Sequence, residues 1–193
     1  MIQLTRIAVW RPLLWLGLLS LLLSSWAPEL RAKTEEELIA ELASGDASVV
    51  RSALGKLEGS YAASPKAQAA VKTLVRDSRP DVRRKAARVL GAMHAPVESS
   101  TVQDLCALLD GPTPDEVSDG LKALRGLKAP EAVPRIVATL RHPDGNVVRD
   151  ACRTLAVLGN AEVIPALSVL LHNAEPEVTD EAKAAIRKLQ AKR

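Results

Sequence analysis

The sequence predicts an all-α fold: an α-solenoid, or superhelix, of about five helical hairpins that follows an N-terminal signal peptide. Three observations predict it. Apolar side chains recur at helical spacing in paired blocks, the pairs repeat every 31 to 34 residues, and Pro, Gly and Asp fall between the blocks, where two helices must turn. Composition agrees, because 47% of the 193 residues are hydrophobic while only 2% are aromatic and none is Phe, so the core must be aliphatic. The 26 Lys+Arg are nearly balanced by 23 Asp+Glu. That balance, with abundant Leu, Ala and Val, excludes a disordered chain, and two cysteines exclude a disulfide-dense scaffold.

The first element, residues 1–32, reads as a leader. Arg6 and Arg11 precede the apolar run Leu13 to Leu23, and small residues follow at Ser24, Ser25 and Ala27. A basic n-region, a short apolar h-region and small residues make a secretory signal peptide. Leu13 to Ala27 falls short of the roughly 20 residues that a spanning helix needs, so no stable membrane insertion is expected once the leader is removed. Cleavage is expected after Ala32, since Pro28 hinders a cut after Ala27, and the destination is the periplasm or the extracellular space. Removing Arg6, Arg11, Arg31 and Glu29 from the 26 bases and 23 acids leaves 23 and 22. The mature part therefore lacks the basic excess of a nucleic-acid binder. All three Trp belong to the leader, and Tyr61 is the one aromatic beyond it, which disfavours sites built by ring stacking.

Residues 33–193 form the repeat domain, with units at about 34–60, 64–94, 98–128, 130–159 and 161–191. Each is anchored on a residue near the start of its second helix: Val49, Val82, Glu116, Val147 and Val178. Four residues on stand Ala53, Ala86, Gly120, Ala151 and Ala182, and eight on stand Leu57, Leu90, Leu124, Leu155 and Ile186. These offsets share one helical face, small where helices must approach and bulky where a layer must be filled. Eleven residues before the anchors, Leu38, Val71, Leu105, Ile136 and Leu167 mark the first helices.

The breaks suit two helices per unit. Pro80, Pro114 and Pro176 stand two residues before their anchors, at a first helical position, and Asp46, Thr113 and Asp144 fall at the N-cap. Pro134 and Pro165 open the first helices of units 4 and 5, and Gly159 closes the helix before. A single hairpin cannot bury both apolar faces, so the five must stack. Lys183 is expected to mark the end of the stack, because it replaces the apolar residues at Leu54, Ala87, Leu121 and Cys152. Unit 3 departs from the pattern, with Glu116 at the anchor and glycines at 111, 120 and 126, which predicts a distortion or a soft spot.

The runs Ala132-Val133-Pro134 to Gly159 and Val163-Ile164-Pro165 to Leu189 resemble HEAT repeats of the short kind found in phycobilisome lyases and many bacterial proteins. The resemblance implies a non-catalytic scaffold that binds a protein or peptide partner, with second helices lining the concave surface. The alternatives it leaves are a bilin-lyase-like enzyme or accessory subunit, attaching a chromophore, and a membrane-tethered assembly scaffold. No enzyme, cofactor or metal signature accompanies it: there is no GxSxG, Walker or dinucleotide glycine pattern.

The residues that could carry chemistry are few. His94, His142 and His172 follow helix ends and read as dipole-complementing polar residues. Cys106 and Cys152, 46 residues apart in units 3 and 4, read as separate core residues, with a disulfide as the alternative in an oxidising compartment. The candidate partner-binding residues are cations two, six and nine residues past the anchors: Arg51, Arg84, Arg88, Lys122, Arg125, Arg149 and Arg153. Stacked units align them into a ladder suited to an acidic partner. Asp119, Asp150 and Glu181 could instead absorb them as structural ion pairs. The chain is expected to act as a monomer.

Overall fold

The computed structural model describes residues 32–94, 96 and 98–192. The leader read at residues 1–32 falls, but for Ala32, outside the described residues. Glu35–Arg193 pack as one unit. Its described residues hold ten α-helices and no strand, in five consecutive hairpins. These are α1 (Glu35–Glu41) with α2 (Ala47–Ser60), α3 (Pro65–Thr73) with α4 (Pro80–Ala92), α5 (Ser99–Ala107) with α6 (Pro114–Leu127), α7 (Val133–Thr139) with α8 (Gly145–Leu158), and α9 (Ile164–Ser168) with α10 (Pro176–Gln190). An all-α solenoid is thus the architecture.

Every first helix tightens as it ends. The segments Leu74–Arg76, Leu108–Asp110 and Val169–His172 are 3₁₀-helical, and the same N–H to i−3 carbonyl bonds close hairpins 1 and 4, from Leu42 to Ile39 and from Leu140 to Val137. The tighter winding draws the chain inward before the turn and uses carbonyls that an α-helix end would leave open.

The turn itself carries a device that the pattern of Pro and Asp did not disclose. Five residues before the anchor, a side chain accepts the backbone N–H two residues on: Ser44 from Asp46 at 3.1 Å, Asp77 from Arg79 at 2.8 Å, His142 from Asp144 at 3.0 Å and Asn173 from Glu175 at 2.8 Å. Four chemically different acceptors fill one slot, each making a local turn of the Asx kind. The second helix then starts on the expected caps. Asp46 accepts from Ser48, Thr113 from Glu116 and Asp144 from Asn146. Where Arg79 and Glu175 stand at the cap without a side-chain bond, Pro80 and Pro176 preset the first helical turn.

Hairpin 3 has Gly111 in the acceptor slot. A Cβ there would lie 2.8 Å from Cγ of Glu116, so the anchor side chain folds back into the space that the missing side chain leaves. The expectation of a distorted helix is corrected. Helix α6 runs unbroken for 14 residues, and its glycines are points of close approach. A Cβ on Gly120 would come 3.0 Å from Leu108 Cβ in the 3₁₀ segment that follows α5, and one on Gly126 would come 2.5 Å from the carbonyl oxygen of Gly91 on α4. Gly91 in turn faces the Cα of Ala123 at 2.8 Å from its own Cβ position. Backbones of α4 and α6 therefore touch directly.

The seam follows the predicted register. Val82, Val147, Ala53, Ala86, Ala151, Leu57, Leu90, Leu124 and Leu155 are fully buried, as are Val71, Leu105, Ile136 and Leu167 from the first helices. In hairpin 1 the anchor Val49 is only half-buried and its neighbour Val50 is buried instead; α2 has no earlier second helix to fix its rotation. Lys183 is exposed, so the apolar row ends where the stack ends. Successive second helices pack extensively on one another, whereas successive first helices barely meet. That difference in spacing puts the second helices on the inner, shorter side of the stack.

A candidate partner-binding surface on the second helices

The ladder of cations projects from that inner layer, and most of it is held by acids of the next unit. Arg51 lies 3.3 Å from Asp81, Arg84 contacts Asp119 at 2.9 Å and Asp115 at 3.0 Å, and Lys122 lies 3.4 Å from Asp150. Arg153 contacts Glu181 at 2.7 Å and Asp150 at 3.4 Å. Arg88 stands 3.9 Å from Asp119, with its side chain half exposed. The repeat itself makes these pairs, since an acid three residues past an anchor (Asp119, Asp150, Glu181) or one before it (Asp81, Asp115) faces a base on the unit before. Asp119 and Asp150 are buried while their bases stay partly exposed, so these pairs contribute more than fully exposed ones, which are worth about 0.2 to 1 kcal/mol each, and together they fix register.

Two ladder residues escape this pairing. Arg125 makes no side-chain hydrogen bond or ion pair among the described residues, and its Nη1 is buried without a partner. Arg149 reaches only the amide oxygen of Asn146 in its own helix. Lys188 on α10, which the ladder did not include, likewise has no acid; its place one residue further along than Arg125 was the only signal for it. Reading offsets two and six found the bases, but the offset pattern could not tell which acids would meet them.

Two clefts meet at Arg153. One lies over α6 and α8 and is lined by Lys122, Arg149, Arg153, Asp115, Asp144 and Asp150, with bases and acids in balance. The other lies over α6, α8 and α10. Arg125, Arg153 and Lys188 face Glu181 there, above a floor of Ala156, Val157, Ala184 and Ala185. The positive excess is therefore confined to the second cleft.

The remaining candidates resolve into structural parts. His142 is a turn acceptor, as above. His94 caps α4 with a left-handed backbone, φ 49°, and its Nδ1 donates to the Gly126 carbonyl at 3.0 Å. His172 is exposed at the end of a 3₁₀ turn. The cysteines are free and unlinked. Burial pushes the Cys152 thiol up to about 12, where it is inert at neutral pH, and Cys106 borders an outer cleft beside Arg135 and Asp110. Burial raises its pKa too. Among the described residues no group of His, Cys, Asp and Glu is placed to hold a metal ion, and no helix is long and apolar enough to cross a membrane.

The most demanding ion pair lies behind the inner surface. Glu116 is 2% exposed, and Arg83 donates to its Oε1 through Nε at 3.0 Å and Nη2 at 2.8 Å. The same guanidinium donates through Nη1 to the carbonyls of Asp77 and Ser78. One side chain thus ties the turn of hairpin 2 to the start of α6, and sequence spacing gave no hint of it because Glu116 occupies an apolar slot.

Comparison with known proteins agrees with this architecture. The family model for HEAT repeats matches residues 35–125 and 102–187. Among solved structures, the complex of CpcE and CpcF of phycocyanin lyase from Nostoc sp. PCC7120 is similar with a TM-score of 0.71 at 22% identity, over 86% of this chain and 68% of that one. A designed armadillo repeat protein in complex with the peptide (KR)4 is similar with a TM-score of 0.62 at 20% identity, over 79% of this chain and 80% of that one. An engineered protein gives 0.60 at 24% identity, over 81% and 79%. Curated proteins give no match. At these identities the structures share the fold alone. With its repeats matched across most of its length and five hairpins stacked in order, the chain belongs to the HEAT-repeat family.

Proposed function

We propose that this protein is an exported, non-catalytic scaffold whose inner layer of second helices captures an extended acidic segment of a partner protein. The observation that carries the reading is the presence of Arg125, Arg149 and Lys188 on three successive second helices without acid partners, beside bases that the repeat has already neutralised. Arg125 and Lys188, nine and ten residues past their anchors, line one cleft, and Arg149, two past its anchor, lines the neighbouring one; carboxylates of a bound segment would give all three the acid partners they lack. The (KR)4 complex of the designed neighbour supports the general idea that a repeat stack binds a peptide; the charge excess here calls for the opposite sign. A lyase activity would rest on likeness of fold alone. Export rests on the leader in residues 1–32, and the mature chain isolated from an envelope fraction should begin near Lys33.

Fluorescence anisotropy tests the binding reading. A labelled ten-residue peptide of alternating Leu and Glu should bind the wild-type chain and weaken as salt is raised, while its Leu–Lys counterpart should not bind. Equal binding of the two, or preference for the Lys peptide, contradicts the proposal.

A further inference from the structure

Six residues past the anchors of hairpins 2, 3 and 4 stand the cations Arg88, Lys122 and Arg153, a row that ends at Ala184 in hairpin 5. Where the next guanidinium or ammonium would lie, the surface is small and apolar. Beside it stands Val157, 36% exposed and one of two exposed large apolar side chains among the described residues; the other, Val169, lies on the first-helix layer. The cleft between α8 and α10 therefore has an aliphatic floor under a rim carrying Arg125, Arg153 and Lys188 against the single acid Glu181.

We infer that this cleft is a specificity subsite that takes an aliphatic side chain of an extended acidic partner segment, while Arg125 and Lys188 hold the carboxylate next to it. The inference rests on the groove reading above and deepens it. Charge alone would be satisfied by any polyanion, whereas a floor of Val157, Ala156 and Ala184 gains only when an apolar group displaces water from it. No aromatic ring lines the cleft, and its floor is shallow, so a branched aliphatic residue fits the chemistry better than a ring. Arg153 lines both this cleft and the one over α6 and α8, so an internal segment, which can reach both, fits better than a chain end.

The variant Ala184→Arg separates the possibilities, since it extends the cation row and at the same time fills the floor. Two labelled ten-residue peptides, alternating Leu–Glu and Ser–Glu, are titrated against the wild type, Ala184→Arg and Val157→Ser, with far-UV circular dichroism to verify that each variant is folded. The subsite predicts that the wild type prefers Leu–Glu by about tenfold, and that both variants lose this preference while still binding Ser–Glu. If Leu–Glu and Ser–Glu bind the wild type equally and Ala184→Arg tightens both, the subsite is wrong and the electrostatic groove stands. If neither peptide binds, groove and subsite both fall. If sedimentation finds a wild-type dimer that Ala184→Arg dissociates, the cleft belongs to a second copy of the chain and the inference is overturned.

Discussion

Hairpins 3 and 4 share a backbone plan and fill it with opposite residues. At the anchor, hairpin 4 has a buried Val147 and hairpin 3 a buried Glu116; at the turn acceptor, hairpin 4 has His142 and hairpin 3 has Gly111. The two exchanges belong together, because the space vacated at Gly111 is where the longer anchor goes. Ten residues past the anchor the contrast recurs: Gly126 lies against the Gly91 carbonyl, whereas Val157 faces the groove. Twelve past, Lys128 adopts a left-handed φ of 55° while Gly159, the residue suited to that region, sits at −78°. The repeat constrains helix and turn geometry, and side chains are free to trade as sets so long as each set fills its slot.

Removing Arg83 should break the comparison most severely. Arg83→Ala leaves Glu116 buried and unpaired in hairpin 3, and chemical denaturation should show a loss on the order of 3 kcal/mol, where removing a half-exposed base without an acid partner, such as Arg149 of hairpin 4, should change stability by less than about 0.5 kcal/mol. Next comes the backbone contact. Gly126→Ala forces α4 and α6 apart and should cost about 1 to 3 kcal/mol, while Val157→Ala, at the same register in hairpin 4, should be close to neutral. A neutral Gly126→Ala would contradict the close approach of the two backbones.

A subtler test converts one hairpin into the other type. Gly111→Asn and Glu116→Val, which give hairpin 3 the residues that hairpin 5 carries at Asn173 and Val178, should each destabilise alone. Together they should cost less than their sum by about 1 kcal/mol or more, because the anchor no longer needs the space the new side chain fills. Additive losses would mean that the two exchanges are unrelated. The smallest effect is at the helix end: Lys128→Gly should stabilise by about 0.5 to 1 kcal/mol by relieving a left-handed residue that is not glycine, and a loss would mean that its side chain has a role the structure does not reveal.

Much of this was legible in the sequence, for physical reasons that differ by residue. The anchors, the small residues four on and the leucines eight on announce themselves because burial on one helical face imposes a period. Pro80, Pro114 and Pro176 announce helix starts because their missing N–H is harmless only there. The turn acceptors escaped notice because Ser, Asp, His and Asn share a geometric role without sharing chemistry. The Arg83–Glu116 pair escaped because a partner 33 residues away is set by how units stack. The same limit governed the ladder: the bases were visible as a row, but whether a given one is neutralised depends on the neighbouring helix.

That division of the ladder is the claim on which the function depends. It is tested most directly by titrating the Leu–Glu peptide into two double variants by calorimetry and recording the thermal midpoint of each. Arg125→Gln with Arg149→Gln should lose peptide affinity by about tenfold or more with the midpoint unchanged, whereas Arg51→Gln with Arg84→Gln, which remove acid-paired arginines outside both clefts, should lower the midpoint and keep most of the affinity. The reverse pattern, with binding lost only when the acid-paired arginines are removed, would contradict the account.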